Sequence, residues 1–204
     1  MNILRIDSSP QSETGQSIRL ADRICSGLDN DRSSITIQKR DLSRSLPVID
    51  QEWITANKTP DTERTAEQKD ILALSDRLIS EIERADVLII GAPVYNFAIP
   101  VGLKIWVDLI CRSGKTFRYG EDGRKGLMTG KRAIVLYSSG GTPFGSDIDF
   151  ASGYLRHILR FIGITDVEFV IAEQHFMDPK SLEKAGAMAD QVAASLSTLK
   201  QKAS

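Results

Sequence analysis

Cysteine is almost absent, with two residues, Cys25 and Cys111, in a chain of 204. Neither belongs to a pair at metal-ligand spacing. The sequence therefore predicts no disulfide framework and no zinc site, and both thiols read as packed residues of a reducing compartment. A surplus of one charge is missing too. Lys plus Arg number 26 against 27 for Asp plus Glu, a net charge of -1, which leaves no cationic excess for nucleic acid or an anionic membrane. Long hydrophobic runs are also lacking. The longest uncharged span, Val87–Leu103, is interrupted by Pro93 and Pro100 and carries Asn96 between them. It reads as a buried strand, a loop and a helix start rather than a membrane span. The opening residues Met1-Asn2-Ile3-Leu4-Arg5 carry no basic leader or cleavage site, so a cytoplasmic location is expected. No Gly-x-Gly-x-x-Gly and no Gly-Lys-Ser/Thr occurs, which removes the dinucleotide fingerprint and the phosphate loop of NTPases. Histidine occurs only as His157 and His175. Neither lies within sequence-local reach of a nucleophile, and neither is assigned as a general base.

What is present describes a globular α/β chain. Hydrophobic residues at 41% and charged residues at 26% suit a single folded domain over residues 1–204. Short β-rich runs at 2–7, 34–39, 86–91, 132–138 and 166–172 alternate with helical patterns at 16–29, 64–84, 100–113, 147–162 and 180–201. Val87-Leu88-Ile89-Ile90 and Ala133-Ile134-Val135-Leu136 are continuous apolar runs, as expected of strands covered by helices on both faces. Ile35 and Ile37 alternate with Thr36 and Gln38, and Val167 and Phe169 flank Glu168, so those strands are placed at the edges. The pattern predicts a doubly wound, five-stranded parallel sheet in the order 2-1-3-4-5 with helices on both faces. A hairpin over Thr116–Met128, turning at Asp122-Gly123, is expected as an insertion before strand four. Such a sheet binds ligands beyond the carboxyl ends of its strands, here after residues 7, 91 and 138.

Three loops fall at those places. Ser8-Ser9-Pro10-Gln11-Ser12-Glu13-Thr14-Gly15-Gln16-Ser17 is rich in hydroxyls and leads into a helix start, an arrangement suited to one terminal phosphate monoester. Read alone it is equally a capped surface turn. Gly91-Ala92-Pro93-Val94-Tyr95-Asn96-Phe97-Ala98-Ile99-Pro100 is stiffened by two prolines and can present N–H and C=O groups to a flat heterocycle. The competing reading makes Tyr95 and Phe97 core aromatics. Tyr137-Ser138-Ser139-Gly140-Gly141-Thr142-Pro143 carries paired glycines that permit close backbone approach, or simply a turn.

Together these segments resemble the FMN-dependent NADH:quinone oxidoreductase and azoreductase family, which has a flavodoxin-like fold. The resemblance rests on Ser8-Ser9-Pro10 with Gln16-Ser17, Pro93-Val94-Tyr95-Asn96-Phe97, Gly114-Lys115-Thr116-Phe117-Arg118-Tyr119, Ser138-Ser139-Gly140-Gly141 and Phe161-Ile162-Gly163-Ile164. It implies an FMN phosphate on Ser9, Gly15, Gln16 and Ser17. It implies a flavin ring against Val94, Tyr95, Asn96 and Phe97, with Ser138, Ser139, Gly140 and Gly141 at its other polar edge. Gly15 stands where relatives often have serine; Val94 and Ser139 stand where methionine and arginine are often found. The family mechanism is two-electron ping-pong transfer from NADH or NADPH to a quinone or azo compound. The flavin carries that chemistry, so no side chain is named as an essential acid or base. The resemblance further implies a homodimer with its sites at the subunit interface.

Phe117 and Tyr119 are candidates for the wall of an acceptor pocket, or for packing within the hairpin. Leu103, Trp106, Val107 and Ile110 share one helical face and read first as core, secondly as a dimer seam. The segment 42–63, with Pro47, Trp53 and Pro60, reads as a lid or a surface connection. A flavodoxin-type electron carrier and a non-catalytic flavin sensor remain as competing functions. The near-neutral charge gives a carrier little docking surface.

Overall fold

Apolar residues alternate along the central strands so that each strand feeds two cores, one on either face of the sheet. The computed structural model of the chain describes residues 1–11, 14–28, 35–44, 46–121 and 123–201. Strands β1 (Asn2–Asp7), β2 (Thr36–Asp41), β3 (Val87–Pro93), β6 (Arg132–Ser138) and β7 (Asp166–Ala172) form one sheet in the order β2-β1-β3-β6-β7, with every pairing parallel. Leu4, Ile6, Leu88, Ile90, Val135 and Tyr137 pack on one side with α3 (Ala66–Arg84), α4 (Val101–Ile110) and α5 (Ser152–Ile162). Ile3, Val87, Ile89, Ile134 and Leu136 pack on the other with α1 (Gln16–Leu28) and α6 (Lys180–Gln201). Every residue of β3 is buried, whereas β2 is exposed almost throughout, as its half-polar pattern predicts for an edge.

The expected elements differ from the observed ones where local capping decides. The connection 42–63, expected as a lid or a surface connection, contains a sixth helix, α2 (Gln51–Lys58). Asp50 caps α2 by accepting the Trp53 N–H at 2.8 Å, and Trp53 and Ala56 bury its inner side. Helix α3 starts at Ala66 because Thr65 and Gln68 form a reciprocal capping box. Helix α5 starts at Ser152 rather than near 147, since Asp149 gathers the N–H groups of Gly145, Ala151 and Ser152 into a turn. It ends at Gly163, whose φ of 109° terminates the helix in left-handed conformation. Helix α4 stops at Ile110 instead of 113. Leu103, Trp106, Val107 and Ile110 are all buried in the chain's own core, which overturns the dimer-seam reading of that face.

Between α4 and β6, strands β4 (Phe117–Gly120) and β5 (Gly123–Gly126) pair antiparallel as a separate two-stranded sheet. Phe117 packs on Phe161 of α5 with ring centroids 4.6 Å apart, and Arg124 lies 4.5 Å over the same ring. Residues 29, 34 and 122, which the expected helix, strand and turn included, lie outside the described residues.

Candidate active site

A cleft of about 150 Å³ opens at the carboxyl ends of the strands, lined by Ser9, Gln11, Gly15, Gln16, Pro93, Val94, Tyr95, Ser138, Gly140, His175 and Phe176. It sits where the chain crossovers reverse direction between β1 and β3, the position that favours ligand binding in an open α/β sheet.

The first loop supplies a helix N-terminus. Thr14 and Gly15 donate their N–H groups to the Gln11 carbonyl, and the α1 bonds begin with Ile18 and Arg19, both donating to the Gly15 carbonyl. The Gln16 and Ser17 N–H groups precede those bonds and carry the positive end of the helix dipole. A Cβ placed on Gly15 would come within 2.7 Å of the Ser9 hydroxyl oxygen, so the serine expected at this position in relatives has no room beside Ser9 as placed here. The Ser9 hydroxyl accepts the Gln11 N–H at 3.2 Å and lies 3.4 Å from the Tyr95 hydroxyl, joining the first loop to the second. Ser17 is fully buried, and its hydroxyl oxygen is without a hydrogen-bond partner among the described residues.

The second loop turns on two residues in an uncommon conformation. Tyr95 and Ala98 exchange N–H···O=C bonds of 3.0 and 3.2 Å, with Asn96 at φ 49° and Phe97 at φ 70° between them. This is a two-residue hairpin of the kind that glycine normally serves. A non-glycine residue there costs about 1–2 kcal/mol, most for a bulky side chain. Such strain persists where surrounding contacts over-determine it. Here Val94 donates its N–H to the Ser138 carbonyl at 2.8 Å, and Phe97 accepts the Phe150 N–H at 3.0 Å. Tyr95 is 37% and Phe97 49% exposed, so neither is a core aromatic. Asn96 and Phe97 do not line the cleft.

The third loop is stapled to the segment after β7. Ser139 donates its N–H to the Ala172 carbonyl and accepts the His175 N–H, while Gly140 accepts the Phe176 N–H. The Ser139 hydroxyl accepts the Thr142 N–H at 2.6 Å. All three polar groups of Ser139 are thus engaged within the protein. Ser138 and Gly140 line the cleft; Ser139 and Gly141 do not. Phe117 on β4 packs against Phe161, and Tyr119, 69% exposed, meets Phe117; neither lines this cleft.

His175 and Phe176 were missed in the sequence because only three strand ends were weighed. The edge of a parallel sheet also includes the end of β7, three residues before His175. Among the described residues the cleft wall contains no Lys, Arg, Asp or Glu, and its polar groups are hydroxyls, the Gln11 and Gln16 amides, the His175 imidazole and backbone N–H groups. Burial pushes the Cys25 thiol up and the Cys111 thiol up to about 11, which disfavours the thiolate of both. Among the described residues no group of three His, Cys, Asp or Glu side chains could hold a metal ion. Among the described residues no helix is long and apolar enough to cross a membrane.

A family profile described as "Flavodoxin-like fold" matches residues 1–196. The chain is 51% identical over 183 residues to an FMN-dependent NADH:quinone oxidoreductase 1 of Jannaschia sp. (strain CCS1), covering 90% of this chain and 93% of that protein. It is 45% identical over 180 residues to its namesake in Hahella chejuensis (strain KCTC 2396), with 88% of each chain covered. Among solved structures, it is similar to the FMN-dependent NADH-azoreductase of Bacillus anthracis str. Ames Ancestor in complex with FMN. That likeness has a TM-score of 0.87 at 25% identity and covers 97% of this chain and 100% of the other.

Proposed function

The chain belongs to the flavodoxin-like FMN-dependent NADH:quinone oxidoreductase family, and we propose that the cleft shared by its three loops is where FMN lies. It is an enzyme that passes electrons from NADH to quinones and azo compounds. When bound, FMN supplies the two-electron carrier between donor and acceptor.

The observation that carries the site is the pairing of a buried Ser17 hydroxyl, without a partner among the described residues, with the Gln16 and Ser17 N–H groups at the same helix start. A buried polar group left unbonded costs about 1–3 kcal/mol, and a phosphate at that end would relieve it. Glycine at 15 lets the turn close against the Ser9 hydroxyl and the Gln11 carbonyl, where a Cβ would crowd both. On this reading Ser9, Gly15, Gln16 and Ser17 hold the phosphate through neutral donors and the helix dipole. Pro93, Val94 and Tyr95 orient the ring, and the strained Asn96-Phe97 turn fixes their backbone. Ser138 and Gly140 meet the ring's other polar edge, with Ser139 and Gly141 shaping their loop. No side chain of the cleft is needed as an acid or base.

The whole of residues 1–204 acts as one flavin-binding domain, working in the cytoplasm as a homodimer. Exposed Phe97, Val101, Tyr119, Ile148 and Phe150 supply apolar surface for a second copy to cover. Tyr119, which does not line its own cleft, then serves the acceptor pocket of the dimer together with Phe117.

The test is a spectrum and a turnover. Protein incubated with FMN and desalted should keep the flavin's visible bands, lose them on anaerobic NADH addition and regain them with benzoquinone. Protein left colourless by saturating FMN would remove the reading. Saturable NADH-dependent quinone reduction separates an enzyme from an electron carrier or a sensor.

A further inference from the structure

Phe176 is the most exposed large hydrophobic side chain among the described residues, at 85%, yet its surroundings are those of a fixed group. Its main chain is tied to the third loop by two hydrogen bonds, His175 N–H to the Ser139 carbonyl at 3.1 Å and Phe176 N–H to the Gly140 carbonyl at 3.2 Å. The turn leading into it places Gln174 at φ 47° and is closed by the Met177 and Asp178 N–H groups on the Gln174 carbonyl. The ring itself lies on Gly140. A Cβ there would come within 2.4 and 2.5 Å of two Phe176 ring carbons, so any larger residue at 140 would push the ring aside. The His175 ring meets it edge to face at 4.7 Å. The ring touches Gly140 and the His175 ring, and most of it stands open at the cleft wall.

We propose that Phe176 is a stacking platform for the flat conjugated ring of the electron acceptor, and so a specificity-determining residue of the reaction. The inference rests on the flavin reading above. Phe176 sits on Gly140 of the loop after β6, two strands along the sheet from β1, or about 10 Å at the usual spacing. It therefore serves the end of the cleft remote from the phosphate-binding turn. That end offers an aromatic face and neutral backbone, with no Lys, Arg, Asp or Glu among the described residues of its wall. Recognition there is by dispersion and ring stacking, which suits an uncharged quinone or azo arene. Pre-seating the ring on Gly140 removes the ordering cost that a free side chain would incur on binding.

The experiment compares wild type with Phe176→Ala, Phe176→Leu and Phe176→Tyr in flavin content, molecular mass, and steady-state constants for benzoquinone, a two-ring naphthoquinone and NADH. Phe176→Ala and Phe176→Leu should keep flavin, mass and the KM for NADH. Their KM for the naphthoquinone should rise about two- to tenfold, with a smaller rise for benzoquinone and little change in kcat. Phe176→Tyr should restore the wild-type values. Unchanged acceptor constants would overturn the platform, as would a change confined to the KM for NADH, which would give the ring to the donor. A fall to monomer mass would make Phe176 an interface contact instead. Wild-type protein without flavin would remove the underlying reading, a failure visible before any variant is made.

Discussion

Ser8 donates its hydroxyl to the Gly91 carbonyl at 2.6 Å, across the boundary between β1 and β3. Both residues are buried, and the bond joins the first loop to the second at the point where the crossovers diverge. Removing the hydroxyl would leave the carbonyl without that donor in a dry site, at a cost of about 1–3 kcal/mol. Ser8→Ala should therefore lower Tm by about 2–4 °C for each kcal/mol lost. It should also speed FMN loss on dilution, measured by recovery of free-flavin fluorescence. A variant with unaltered Tm and flavin dissociation would show that the two loops are held elsewhere.

Asn96 permits a test that separates backbone from side chain. At φ 49° it occupies the left-handed region, where asparagine is tolerated and a β-branched residue is not. Asn96→Val should destabilise the turn by about 1–2 kcal/mol and reduce the flavin retained after desalting. Asn96→Gly, free to adopt the same φ, should leave thermal stability close to wild type. If the valine variant retained flavin as well as wild type does, the turn would not be part of the site.

How much of this was legible beforehand follows from which signals are local. The central strands were readable because Val87-Leu88-Ile89-Ile90 and Ala133-Ile134-Val135-Leu136 are apolar without interruption, and only doubly covered strands are built that way. Their ends then located the cleft. Helix α2 was not readable, since its inner face amounts to Trp53 and Ala56 and its start depends on one Asp50 cap. The left-handed pair Asn96-Phe97 carries no glycine to announce it. The seat of Phe176 on Gly140 joins residues 36 positions apart through hydrogen bonds between loops, and no sequence period records such a contact.

Asp149 makes the loop after β6 sensitive to acid. Burial pushes its carboxyl up, but the Ser152 hydroxyl and N–H and the Gly145 and Ala151 N–H groups outweigh that and hold it below its ordinary 3.8. A depressed value means that the folded state favours the carboxylate. The resulting stability is complete above the unfolded value and is lost as pH falls through the folded one. Thermal midpoints measured from pH 6 to pH 2.5 should thus fall more steeply for wild type than for Asp149→Asn. The asparagine variant should be less stable at pH 6, having one acceptor oxygen where four donors converge. Parallel curves for the two proteins would show that the carboxylate has no such part.

Arg112 is 1% exposed and braces three helices. Its Nε donates to Asn57 at 2.8 Å, and its Nη1 to Ser75 at 3.0 Å and Asp76 at 2.5 Å, while Nη2 has no partner among the described residues. Truncation leaves Asn57 and Ser75 without their donor and opens a cavity between α2, α3 and the end of α4. Arg112→Ala should cost about 3 kcal/mol, near the low end for a buried pair because Asp76 is half exposed. Arg112→Met refills most of the volume without a charge to desolvate, and one Nη2 is unsatisfied already, so its loss should be clearly smaller. Urea midpoints at constant m-value measure both. Equal losses for alanine and methionine would place the contribution of Arg112 in its hydrogen bonds rather than in its packing.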